Sequence, residues 1–241
     1  MEKLVYVVWK RPDQSAAELA EALRGKVAQQ LAPLAERPLS VLVADAPAEA
    51  VQKARITHMD DPLAGMLGVW LDCVDRRAAV EAALRPHVGR LAGYLVTESV
   101  VLPNTTQRAA PGERTPGITM LSCIERPERL RYEEWIEIWH GRHSPLAVEI
   151  QCTYRYVRNV VARALTPDAP RWAGLVEEGF PSEAVVDPMR WYKAEGDPAR
   201  LRENLGRMLA SVRSFLDIER VESHPLSEYL IGEPARPERQ A

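Results

Sequence analysis

Leu4 to Pro12 reads L-V-Y-V-V-W-K-R-P, and Thr119 to Pro127 reads T-M-L-S-C-I-E-R-P. Both are apolar runs that end in Arg-Pro, both precede a helical pattern, and they stand 115 residues apart. Toward the ends of the two halves, Y-L-V-T-E-S-V-V from Tyr94 meets F-L-D-I-E-R-V-E from Phe215 at an offset of 121. A repeat of that length is too long for a solenoid unit and suits a duplicated domain. One stretch breaks the symmetry: the second half carries W-H-G-R-H-S-P from Trp139 to Pro145, where the first has R-G-K-V-A-Q-Q. The second half reads as equipped for chemistry and the first as its structural partner.

Pro103 to Gly117 is rich in Pro, Gly, Thr and charge and has no apolar period, which marks a linker. The chain therefore divides into a unit at 1–102, a linker at 103–117, a second unit at 118–231 and a loose tail at 232–241. In the first unit, strands are expected at Leu4–Trp9, Leu39–Ala44, Leu67–Val74 and Tyr94–Leu102. Helices fall between them, the first running from a Ser15/Glu18 capping box to Leu34. In the second unit, strands are expected at Ile118–Ile124, Thr153–Val161, Trp172–Phe180 and Ile218–Ser223, with helices at Tyr132–His143 and Ala199–Phe215. Each order is β-α-β-β-α-β, the ferredoxin-like split unit. Such a unit is an antiparallel sheet with helices on one face, and its other face must be covered. The fold class is thus α+β, two tandem ferredoxin-like units covering each other sheet to sheet. The second unit also has extra residues near Glu183 to Pro198, including Met189, Trp191 and Tyr192. They either cover a pocket or extend a helix with ordinary core contacts.

Composition narrows the partners. Of 241 residues 46% are hydrophobic, enough for a packed core, and the formal net charge is only -3. No block of like charge appears, so neither nucleic acid nor an anionic membrane is an expected partner. Cys73, Cys123 and Cys152 are odd in number and widely spaced, which suits a reduced, cytoplasmic setting. The N-terminal residues lack the pattern of a signal peptide, and no run approaches the roughly 20 apolar residues that span a bilayer.

The helix R-Y-E-E-W-I-E-I-W-H-G-R-H places Tyr132, Trp135, Trp139 and His143 on one face. Pro145 is expected to break or kink the helix just after His143, with Ser144 as the next cap and Pro145 as its first residue. An imidazole at such a break lies near a cavity; burial would keep it neutral and competent as a general base. The plainer alternative is a core histidine bonded to a carbonyl. His140, three residues earlier, is placed at the pocket rim or in solvent. Glu137 with His140 resembles one acid-plus-histidine element of a di-iron bundle, but that site needs two such elements, so no metal is expected. On the strand T-Y-R-Y-V-R-N-V-V, Tyr154, Tyr156 and Arg158 alternate with Arg155, Val157 and Asn159. One face can offer hydroxyls to a ligand, and Arg142 either pairs with an anionic group or lies exposed. No nucleophile elbow, phosphate loop or paired metal motif is present, which argues against hydrolase, kinase and nicotinamide-dependent chemistry.

The runs Y-E-E-W-I-E-I-W-H-G-R-H-S-P-L, Y-R-Y-V-R-N-V and G-L-V-E-E-G-F-P-S resemble the EthD family of the dimeric α+β barrel superfamily. The family's Trp and His-x-Pro-Leu match Trp139, His143, Pro145 and Leu146; its tyrosine-and-asparagine strand matches Tyr156 and Asn159; its Phe-x-Ser matches Phe180 and Ser182. The resemblance spans Ile118 to Tyr229; the first half departs from it, having Ala28 where His143 stands. It implies that the two units form an intrachain dimeric α+β barrel with a pocket between sheet and helices. It also implies a cofactor-independent enzyme, with no cofactor to be bound, acting on small apolar or aromatic, polyketide-like molecules as a cyclase, decarboxylase, dehydratase or isomerase. In that reading His143 is the acid–base residue and Tyr156 or Tyr154 holds the oxyanion. Trp135, Trp139, His140, Arg142, Asn159 and Trp191 contact the substrate. The alternatives are a non-catalytic binding or accessory protein, and a haem- or oxygen-using oxidoreductase of the same superfamily. A homodimer of the whole chain is a further option.

Overall fold

In the computed structural model, which describes residues 1–232, β1 (Glu2–Trp9), β2 (Leu39–Val43), β3 (Gly65–Leu71) and β4 (Arg90–Leu102) form the first half. β5 (Ile118–Ile124), β6 (Arg155–Ala164), β7 (Gly174–Phe180) and β8 (Glu222–Ile231) form the second. All neighbours are antiparallel, in the order β1-β3-β2-β8-β5-β7-β6-β4, and β4 returns to β1. This corrects the expectation of tandem ferredoxin-like units stacked sheet on sheet: the strands close into a single eight-stranded antiparallel barrel. The closing pairs are β2 with β8 and β4 with β6. The physical reason lies at the edges. Two separate four-stranded sheets would each leave two rows of unpaired N–H and C=O groups, whereas closure satisfies them all. Apolar periodicity does not encode which edge meets which.

Because β1 is covered on both faces, Lys3 through Trp9 are all buried, and the strand reads as a nearly continuous apolar run. Val5, Val7 and Trp9 point into the barrel with Leu42, Tyr94, Leu121, Cys123, Trp172 and Leu226. Leu4, Tyr6 and Val8 point outward against Leu19, Leu23, Val27 and Leu31 of the first-half helix. Ala28 is packed within that outer cluster, 1% exposed. One end of the barrel interior is charged instead of apolar. Lys3 Nζ donates to Glu98 (2.5 Å), Asn159 Oδ1 (2.8 Å) and Glu177 (3.4 Å), and Arg155 pairs with Glu177 (2.8 Å) and Glu228 (3.3 Å). Burial alone would raise the Glu177 carboxyl; Lys3 and Arg155 overcome it and hold the group at about 2.

Two local expectations are corrected. Pro145 does not break the helix. The chain stays helical through Tyr132–Ile136, a π-helical stretch Glu137–His143, and Ser144–Ile150. The wider turn accommodates the proline ring: the Ser144 N–H makes the i→i−5 bond to Trp139 O, and the Ser144 Oγ donates to the same carbonyl at 2.9 Å. The last strand is Glu222–Ile231, not Ile218–Ser223, and Pro225 sits inside it opposite Met120. The tail at 232–241 lies outside the described residues except for Gly232. No helix among the described residues is long and apolar enough to cross a membrane.

Candidate functional site

The outer face of β5, β6 and β7 carries Ile124, Tyr156, Val176 and Glu178, and the helices Glu137–Ile150 and Pro198–Phe215 lie over it. Between them is a cavity of about 610 Å³ walled mainly by Trp139, Val176, Met208, Val212, Phe215 and Leu216. The π-helical stretch brings Trp139 and His143 to this wall together, a known use of π turns at functional sites. Trp139 is wholly buried and the far corner of its indole lies against Gly174, where an added Cβ would stand 2.5 Å from the ring. Gly174→Ala is therefore expected to displace Trp139 and destabilise the fold by about 1–3 kcal/mol. Thermal denaturation would register this as a fall of several degrees; an unchanged midpoint would contradict the contact.

His143 Nδ1 lies 3.0 Å from Ser211 Oγ, and the ring packs at 4.6 Å on Phe215. Burial lowers its pKa to about 4, so the imidazole is neutral at pH 7. Tyr156 faces the same cavity; burial raises its pKa, which keeps the phenol protonated as a donor. Its hydroxyl is 3.4 Å from Ser144 Oγ. The Ser144 proton goes to Trp139 O at the shorter distance, 2.9 Å. Glu178 stands directly opposite Tyr156 in the β6–β7 ladder, so both side chains project from one face. The Glu178 carboxyl has neither a cation nor a hydrogen-bond partner among the described residues, and burial pushes its pKa up to about 7.

Reading the sequence for histidines missed Glu178. The signal was available: in G-L-V-E-E-G-F consecutive residues face opposite sides, so one of the two glutamates had to enter the barrel and the other the outer face. Of the residues proposed from sequence, His143, Tyr156 and Trp139 line this cavity, and Trp191 lines an adjoining one. Trp135 is buried behind Trp139, 4.9 Å away centre to centre. His140 sits edge-on to Trp139 at 4.8 Å, away from the cavity wall. Arg142 is exposed and bonded to Glu137 at 2.7 Å. Tyr154 donates its hydroxyl to Pro116 O and covers Gly179, outside the cavity. Asn159 points into the barrel, where it bonds Lys3 and Glu177. For Asn159 the reason is the pleat: three residues from Tyr156, it must take the opposite face.

A haem does not fit this lining. It offers one histidine, whose ring is packed on Phe215, and no lysine or arginine to hold two propionates. The carboxyl it does offer, Glu178, would oppose them. The purified protein is expected to be colourless, and added haemin is expected to give no saturable shift in visible absorption; a sharp, stoichiometric shift would contradict this.

No protein-family profile and no curated protein matches the sequence. Solved structures do resemble it. An anthrone oxidase-like protein superposes with a TM-score of 0.54 at 11% identity, covering 100% of this chain and 95% of that one. A provisionally named monooxygenase from Fusobacterium nucleatum gives 0.52 at 8% identity, covering 100% and 97%. A dye-decolorizing peroxidase from Bacteroides thetaiotaomicron gives 0.50 at 9% identity, covering 95% and 93%. The likeness is one of fold. The chain shares its overall fold with these proteins across nearly its whole length, while membership in the EthD family is not established by them.

Proposed function

We propose that the chain is a haem-free oxidoreductase that uses dioxygen on a small apolar aromatic ketone or phenol, with Glu178 as the base. The observation that carries this reading is the unpaired Glu178 carboxyl, with a pKa of about 7, on the residue opposite Tyr156 in the ladder and facing a mainly apolar cavity. A base works best when its pKa lies near the working pH. His143, at about 4, is neutral but too weak a base to match it, so its part is to wall the site and relay a proton. In this reading Glu178 takes a proton from the carbon conjugated with the substrate carbonyl. Tyr156 donates to the oxygen on which charge collects. The resulting anion is electron-rich and reacts with dioxygen. One oxygen atom ends as a new carbonyl at the CH₂ carbon and the other leaves as water.

Support for oxidation over a non-redox step comes from the fold neighbours described as oxidase-like and monooxygenase; the Trp139 to Leu146 motif supports placing the chain with EthD-like proteins. The test is oxygen uptake with anthrone, corrected for its spontaneous oxidation. Because the base must be ionised, kcat/KM is expected to rise with pH along a limb centred near 7. No uptake above background, or a flat profile between pH 5 and 9, would contradict the proposal.

A further inference from the structure

The cavity beside His143 does not end at Glu178. A second hollow of about 450 Å³ adjoins it, and Ser122, Gln151, Glu178, Tyr192 and Ser223 line both. Ile56 and Leu205 line both as well, at the exposed rim; the other five shared residues are polar, and Ser122 Oγ and Ser223 Oγ are 2.9 Å apart. On either side the walls turn apolar: Trp139, Met208 and Phe215 in the first lobe, Met120, Val185 and Trp191 in the second. Trp191 is held by stacking on Phe180 at 3.8 Å, and it belongs to the extra segment that distinguishes the second half from the first.

The rim carries an independent sign. Ile56, Val186, Leu205, Leu209 and Ile218 are exposed large apolar side chains, and every one of them lines a lobe. Exposed apolar groups gathered around a concave surface mark a binding mouth. Ile56 comes from the first half and is tied across the mouth by two 2.8 Å backbone hydrogen bonds with Ser223.

We infer that the site takes an elongated substrate with an apolar arm on each side of a central carbonyl or hydroxyl, the polar centre at Glu178 and one arm in each lobe. This deepens the proposed function, since it rests on Glu178 meeting the reacting centre. It adds that the second lobe selects for the second arm.

Calorimetric titration of the intact chain with two probes tests the inference: 1,3-diphenylacetone, with an aryl arm on each side of its carbonyl, and phenylacetone, with one. Burying a second aryl arm is expected to make the two-armed ketone bind about 100-fold tighter. Val186→Trp, at the exposed rim of the second lobe, is expected to reduce that ratio to within threefold of one. Trp191→Ala, which removes the lobe's wall, is expected to lower it at least tenfold. Equal affinities in the wild type, or a ratio untouched by both variants, would overturn the two-lobed substrate. If the ratio is near one while anthrone oxidation still depends on Glu178, the arm assignment falls and the proposed function stands. If neither ketone binds, both fall.

Discussion

Replacing Glu178 by glutamine is expected to lower kcat/KM by about 10²- to 10⁴-fold, the usual contribution of a positioned general base. The amide keeps the shape and polarity of the side chain and removes only its ability to take a proton. The loss should exceed that of His143→Gln, because a group held at about 4 contributes little basicity at pH 7. Stability should move the other way. The folded-state pKa of Glu178 is raised from 4.5 to about 7, so the native chain binds more protons than the unfolded chain within that window. Stability therefore falls as pH rises from 4.5 to 7. The glutamine variant escapes this and should be more stable than the wild type at pH 8, on the order of 1–3 kcal/mol with allowance for partial exposure to the cavity. An inactive and more stable variant is the signature of a strained functional group. A variant with full activity, or one that is inactive and less stable at pH 8, would count against the base assignment.

Lys3→Met is expected to destabilise the barrel by roughly 3–5 kcal/mol, the penalty for leaving a buried ionic cluster one partner short. In the wild type Lys3 and Arg155 face Glu98, Glu177 and Glu228; without Lys3, one guanidinium faces three carboxylates. For a chain of this size the midpoint of thermal unfolding should fall by about 10 °C. The same cluster sets the acid limit. The pKa of Glu177 is depressed from 4.5 to about 2, so its stabilisation is complete above 4.5 and is lost as pH falls through 2. The variant should lose part of this dependence. A midpoint within 2 °C of the wild type would mean that the cluster contributes nothing net.

How much of this was legible in the sequence depended on whether the signal was local. Strand positions in the first half, the Ser15/Glu18 capping box and the aromatic face holding Trp139 and His143 follow from periodicity and side-chain chemistry, and the structure has them. Barrel closure was not legible, because edge pairing between β2 and β8 or β4 and β6 leaves no mark on either strand alone. Pro145 misled because its effect on a regular helix is strong, whereas a π turn absorbs it. The last strand was expected at Ile218–Ser223, whereas β8 runs from Glu222 to Ile231 with Pro225 inside it. Asn159 was assigned to the site by family likeness, yet its place in the alternation sends it to the charged interior with Lys3. Glu178 was legible and passed over: two adjacent glutamates in an otherwise apolar strand cannot both be solvated surface.

The most direct measurement is a ¹³C NMR titration of the Glu178 carboxyl, assigned by its absence in Glu178→Gln. The account predicts a midpoint near 7 in the free protein and a displaced midpoint when 1,3-diphenylacetone is bound. A midpoint near 4.5 that does not respond to the ketone would contradict it.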